Sequence, residues 1–207
     1  YDGSQGGEDE EGNPNASDLH YLLQDGMGLI NYTGHGSSLS CASSGYNSSD
    51  VNQLTNTDVH PFFWSVACVN GDFTGVTCFA ETWLRATHNE TGQPTGAIAT
   101  LMSTINQSWA PPMEGQDHMN LILTEMSENS QSRSFGGISM NGCMKMNDTY
   151  GSSGYEMTDT WTCFGDPSVI VRTKAPENIE ASYSNSISIE STSLDVLCPV
   201  EDALVSL

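Results

Sequence analysis

Basic residues are scarce in this 207-residue chain: five Lys and Arg stand against 26 Asp and Glu, a formal net charge of −21. Binding to nucleic acid needs a basic footprint, so that class is excluded. No apolar run approaches the roughly 20 residues of a membrane-spanning helix, and no signal peptide is visible. Closely spaced cysteine pairs are missing too. Cys41, Cys68, Cys78, Cys143, Cys163 and Cys198 show no Cys-x-x-Cys spacing, which removes zinc-ribbon and thioredoxin-like readings. One or two disulfides stay open, with no pairing assignable. The chain opens at Tyr1 without an initiator Met, as expected of a mature product or a fragment, so the lack of a signal sequence says little about secretion. The acidity suits a soluble extracellular or surface protein and is compatible with bound calcium, although most single carboxylates read as solvated surface.

What is present is an alternation of strand-like and helix-like segments. Residues 1–18 hold several glycines and the run Glu8-Asp9-Glu10-Glu11, an exposed loop. Ser17 or Asp18 caps a helix carrying Leu19, Leu22, Leu23 and Met27, and a strand ends at Thr33. Residues 37–58, rich in Ser, Asn and Gly, read as a long polar loop. The run Pro61–Ala67 is a strand, residues 78–86 a helix and residues 95–102 another strand. Helices are expected over 116–128, 137–149 and 155–163, with Ser168–Arg172 as a closing strand. This β–α–β–α–β order predicts an α/β fold with a mainly parallel sheet and flanking helices. Near residue 174 the pattern changes to short strands at 179–191, 194–198 and 203–207. They resemble the truncated start of a β-sandwich, giving domains at 1–174 and 175–207.

Two residues stand at strand ends. His35 follows the strand ending at Thr33 and lies between Gly34 and Gly36, while Cys68 follows Pro61–Ala67. Chemistry in open α/β sheets gathers beyond the carboxyl ends of the strands. A thiol with an imidazole is the minimum for nucleophilic catalysis. Each also has an ordinary reading, the cysteine as a small buried hydrophobe and the histidine as a turn residue. A transition-metal site at the pair lacks the further ligands zinc would need.

The segments Asn31–Ser37 and Ser65–Phe73 together resemble the gingipain-type cysteine peptidases, family C25 of the caspase-like clan. The resemblance continues through Cys78–Glu81, Leu84–Ala86, Pro94–Gly96, Ser103–Trp109, Gly115–Asp117, Phe135–Gly137, Met140–Gly142, Asp159–Thr162 and Phe164–Ser168. It covers roughly residues 29–173 in the family's order. It implies a caspase-like α/β fold with Cys68 as nucleophile, His35 as general acid/base, and the Gly36 and Cys68 N–H groups as oxyanion donors. Gln107, Trp109 and Met113 take the positions that wall the S1 pocket, where an indole suits a long aliphatic stem ending in a cation; core packing is the other reading of Trp109 and Met113.

By the same comparison Phe73 (through its carbonyl), Glu81 and Asp117 match calcium ligands, with His118 standing where a second acid is usual. A helix N-terminal Asp117 facing the macrodipole is the alternative. Cys41 replaces a bulky aromatic. The resemblance implies no cofactor for catalysis, and calcium only in a structural role. The S1 acid and the carboxylate that orients His35 are expected upstream. The function implied is a secreted or bacterial cell-surface endopeptidase cleaving proteins or peptides after Lys or Arg, anchored through further C-terminal domains. The competing function is a non-catalytic surface or secretion module retaining the scaffold. The segment Val66–Asn70 does not match the caspase nucleophile signature.

Overall fold

Two alternating hydrophobic faces organise the chain, and its strands carry both. A computed structural model describes residues 14–128, 132–173 and 178–200. In chain order the elements are α1 (Ala16–Asp25), β1 (Leu29–Thr33), β2 (Gly36–Ser37), β3 (Ser40–Cys41), β4 (Tyr46–Asn47), α2 (Ser48–Val51), β5 (Phe62–Val66), α3 (Phe79–Arg85), β6 (Ala99–Ser103), α4 (Ala110–Leu123), α5 (Phe135–Tyr150), α6 (Ser152–Thr160), β7 (Trp161–Gly165), β8 (Ser182–Tyr183) and β9 (Val196–Leu197). The main sheet runs β1-β5-β6-β7; the first two pairings are parallel and the last is antiparallel. The expected mainly parallel α/β sheet is therefore present.

Successive residues of a strand point to opposite faces, and β5 loads both with aromatics. Phe63 packs with Met102, Phe79 and Trp83 under α3. Phe62 and Trp64 pack with Leu101, Met119, Ile122, Phe135 and Ile138 beneath α4 and α5. Trp64 stacks on Phe135 at 5.8 Å and donates its indole N–H to Ser139 Oγ at 3.2 Å. This satisfies the one polar atom of a fully buried ring. The helices α4 and α5 approach closely because Gly115 and Gly142 face each other. A Cβ on Gly142 would lie 2.6 Å from the Gly115 carbonyl oxygen.

Several expectations need correction. Asn15, rather than Ser17 or Asp18, is the N-cap of α1, in a reciprocal pair with Asp18. Residues 37–58 are not a plain loop. They fold into the three-stranded sheet β2-β3-β4 and the turn α2, with Cys41, Tyr46, Val51 and Leu54 buried; Ser and Asn side chains cap and bridge the short elements. The helix expected over 116–128 begins earlier, at Ala110. Pro111 and Pro112 fill its first turn, where missing N–H groups break no intrahelical bond. It ends before Met126, since Glu125 adopts φ 60°. The helix expected over 155–163 stops at Thr160, and the Trp-Thr-Cys-Phe run that follows is β7. Aromatic and β-branched residues favour that pairing with β6. Because β7 takes that edge of β6, Ser168–Arg172 forms no sheet strand; it lies along the start of α5 through the Val171 N–H to Arg133 carbonyl bond of 2.9 Å.

The chain divides into two units, Tyr1–Thr173 and Lys174–Leu207. In the second, the strands expected over 179–191 and 194–198 shrink to the antiparallel pair β8–β9, and no residue from 178 to 200 is buried. The strand expected at 203–207 lies outside the described residues. Among the described residues no helix is long and apolar enough to cross a membrane.

The close approach of α4 and α5 is open to test. Gly142→Leu should lower unfolding free energy by about 1–3 kcal/mol through overpacking, measured by denaturant melts. An unchanged midpoint would show that the two helices have room to spare.

Candidate active site

Register brings His35 and Cys68 together. Thr33 of β1 pairs with Val66 of β5 in parallel, and each candidate lies two residues beyond its strand's last paired position. Neighbouring strands run about 4.8 Å apart, so equal offsets deliver the two residues side by side. The Gly34 N–H extends the pairing by donating to the Val66 carbonyl at 3.1 Å. Beyond it the two backbones touch. A Cβ on Gly36 would lie 2.6 Å from the Cys68 carbonyl oxygen and 2.8 Å from Ala67 Cβ. Only a residue without a side chain fits there.

The backbone of His35 is held by its own hairpin. Its carbonyl accepts from the Tyr32 hydroxyl and from the Ala42 N–H, both at 2.7 Å. Its N–H donates to Ser43 Oγ at 3.0 Å, and the Ser43 N–H returns to the Tyr32 oxygen at 3.2 Å. Burial pushes the Tyr32 phenol above its ordinary range, so it stays a donor at neutral pH. The imidazole meets Trp109 edge to face at 5.4 Å. Among the described residues, no carboxylate hydrogen-bonds His35.

The Cys68 thiol is half-buried, and its Sγ lies 4.0 Å from the Gln107 carbonyl. The turn after it is tight: Val69 adopts φ 49°, a left-handed conformation that a β-branched residue resists. Two bonds to the end of β6 and the loop after it hold it there, the Gly71 N–H to the Ser103 carbonyl at 2.9 Å and the Val69 N–H to the Ile105 carbonyl at 3.0 Å. The Cys68 N–H has no acceptor among the described residues, so it is free to serve an oxyanion. The other cysteines differ. Among the described residues no two cysteines are bonded to each other, and Cys41, Cys78 and Cys143 are buried. Burial raises the thiols of Cys41 and Cys78 and pushes Cys143 up to about 11.

Gln107, Trp109 and Met113 line the loop and first turn beyond β6. Trp109 and Met113 are 44% and 37% exposed, so core packing does not account for them. Gln107 is fixed by a partner that spacing did not reveal. The Trp161 indole N–H donates to its Oε1 at 2.7 Å, leaving Nε2 buried without a partner. Gln116 is a second unforeseen strut, accepting from Thr33 Oγ1 at 2.6 Å and donating to the Tyr32 carbonyl at 3.0 Å. Among the described residues no group of three or more His, Cys, Asp or Glu side chains could hold a metal ion, and Phe73 is exposed beyond β5. The Glu81 carboxylate caps α3 by accepting from the Cys78 N–H at 2.9 Å. Asp117 is exposed on α4, which packs on the other face of the sheet. Nor does Asp117 face a helix N-terminus, since α4 starts at Ala110.

The family described as Peptidase family C25 matches residues 2–172. Gingipain R2 of Porphyromonas gingivalis is 46% identical over 183 residues, covering 88% of this chain and 25% of that protein. Gingipain R1 of the same organism is also 46% identical over 183 residues, with 88% of this chain and 18% of its own length covered. The crystal structure of the Arg-specific cysteine proteinase gingipain R superposes with a TM-score of 0.85 at 44% identity, covering 90% of this chain and 43% of that one. The chain thus spans a quarter or less of these curated relatives.

The buried thiols make stability depend on pH. An unfolded thiol ionises near pH 8.5, while the folded chain keeps its Cys143 proton up to about 11. Between those values the unfolded state binds fewer protons, so stability should be full below pH 8 and fall as pH rises toward 11. Denaturant melts across that range check this, and Cys143→Ala should flatten the slope.

Proposed function

The chain belongs to peptidase family C25, and on that premise we propose that it carries the catalytic dyad of a cysteine endopeptidase cleaving after a basic residue, with Arg preferred over Lys. The observation that carries this is the equal offset of His35 and Cys68 beyond the Thr33–Val66 pair. In the reaction, the Cys68 thiolate adds to the carbonyl carbon of the P1 residue. The oxyanion takes hydrogen bonds from the Gly36 and Cys68 N–H groups, the latter without an acceptor among the described residues. His35 protonates the departing amine, and the C–N bond breaks to leave a thioester. His35 then takes a proton from water as it attacks, releasing the carboxylic acid and restoring the thiol.

Trp109 and Met113 offer an indole face and a flexible thioether to the aliphatic stem of P1. The preference for Arg rests on the Arg-specific proteinase among the similar structures. A secreted or cell-surface setting accords with the net charge of −21, and residues 175–207 are read as the opening of a β-sandwich domain. The residues matched to calcium ligands, Glu81 and Asp117, enter no step of this mechanism.

Peptide substrates bearing Arg, Lys, Asn or Asp at P1 test the reading. Cleavage after Arg should dominate, Cys68→Ala should lower kcat/KM by about 10³-fold or more, and His35→Ala by about 10²-fold or more. Turnover that survives Cys68→Ala would overturn the mechanism, and equal cleavage after Asn would overturn the basic S1 pocket.

A further inference from the structure

Asn70 sits two residues after Cys68 and has no accessible surface. Its Nδ2 donates to the Ser37 carbonyl at 2.7 Å and to the Ser40 carbonyl at 2.9 Å. Its Oδ1 accepts from Ser65 Oγ at 2.8 Å, and its own carbonyl accepts from the Ala80 N–H at 3.0 Å. One side chain thus joins the turn of the nucleophile, the strand beneath it and the β2–β3 hairpin that follows His35. Two carbonyl oxygens face Nδ2, so the flipped amide would set oxygen against oxygen, and the orientation is forced. Gly36 leaves the room for this contact, since a Cβ there would lie 3.0 Å from Nδ2.

We propose that Asn70 is the positioning residue that sets the separation of His35 and Cys68, by tying the histidine's hairpin to the cysteine's turn. The proposal rests on the dyad reading above. The hairpin clamps His35 through Ala42 and Ser43, but those bonds are internal to it. Its attachment to the Cys68 turn runs through Asn70 Nδ2. Serine or alanine at this position would be too short to span both carbonyls. Aspartate would present them with acceptors. The bond from Ser65 holds the amide from behind, which makes Ser65 part of the same device. A displacement of order 1 Å in a catalytic pair lowers the rate by about 10²-fold.

Alkylation of Cys68 by iodoacetamide, followed residue by residue by mass spectrometry from pH 5.5 to 8.5, tests this on the folded 207-residue chain. Wild type and His35→Ala bracket the effect of the imidazole. Asn70→Ala, with folding checked by circular dichroism, should slow labelling at pH 6 by about tenfold and shift its pH profile toward that of His35→Ala. Cys41 and Cys143 should remain unlabelled, which separates lost positioning from general loosening. Ser65→Ala should slow labelling by about three-fold, as expected for one lost neutral hydrogen bond. A folded Asn70→Ala that labels at the wild-type rate and with its pH profile overturns the proposal. Should Asn70→Ala not fold, Ser65→Ala decides, and an unchanged rate there overturns it. Equal labelling of wild type and His35→Ala would instead sink the dyad reading, and this proposal with it.

Discussion

Parallel pairing of β1 with β5 imposes the constraint on which the site depends. In parallel strands, residues at equal distances past a paired position emerge on the same side, and Thr33 opposite Val66 sets that zero point. A slip of one residue would turn each strand's side chains to the other face. It would drive Phe63 out from under α3 and Trp64 off Phe135, so the buried aromatics lock the register. Core packing and the meeting of His35 with Cys68 are therefore one requirement. The hydrophobic faces of β5 choose the register, and the register chooses which residues meet at the sheet's carboxyl edge.

Beyond the strand ends, neutral groups do the holding. With five basic residues for 26 acidic ones, ion pairing has little scope. Among the described residues the ion pairs are Arg133–Glu125 and Lys145–Glu114, both partly solvated and neither involving His35. Buried amides take that role at the site: Asn70 between the two turns, Gln116 beneath β1 and Gln107 against Trp161. Neutral hydrogen bonds need no counter-charge in a low-dielectric setting. Ionic strength screens them little, which suits a chain whose surface is strongly acidic.

Strand ends carrying His35 and Cys68 were legible because β1 and β5 are short apolar runs closed by glycine-containing turns. The motif order then tied both to a family. The helix α3 was legible from Phe79 and Trp83 on one face. Other parts were hidden for physical reasons. Ser-rich residues 37–58 have no long period to read, yet their hydroxyls and amides close hydrogen bonds that make ordered turns. The strand β7 follows a helix without a glycine or proline to mark the change, and its antiparallel placement is decided by the free edge of β6. Asn70, Gln116 and Trp161 act through partners far along the chain, which no local spacing displays. Asn70 lies within the Ser65–Phe73 segment that resembles the family, but only its burial reveals its role.

The struts of the site are separated widely in sequence. Gln116 reaches back 83 positions to Thr33, and Trp161 reaches back 54 to Gln107. A chain leaving the ribosome holds both its thiol and its imidazole long before either strut exists. Both struts can be in place only once the chain extends past residue 161. A chain that has not yet closed the sheet on β7 thus holds the thiol and the imidazole without the two struts that brace the residues around them.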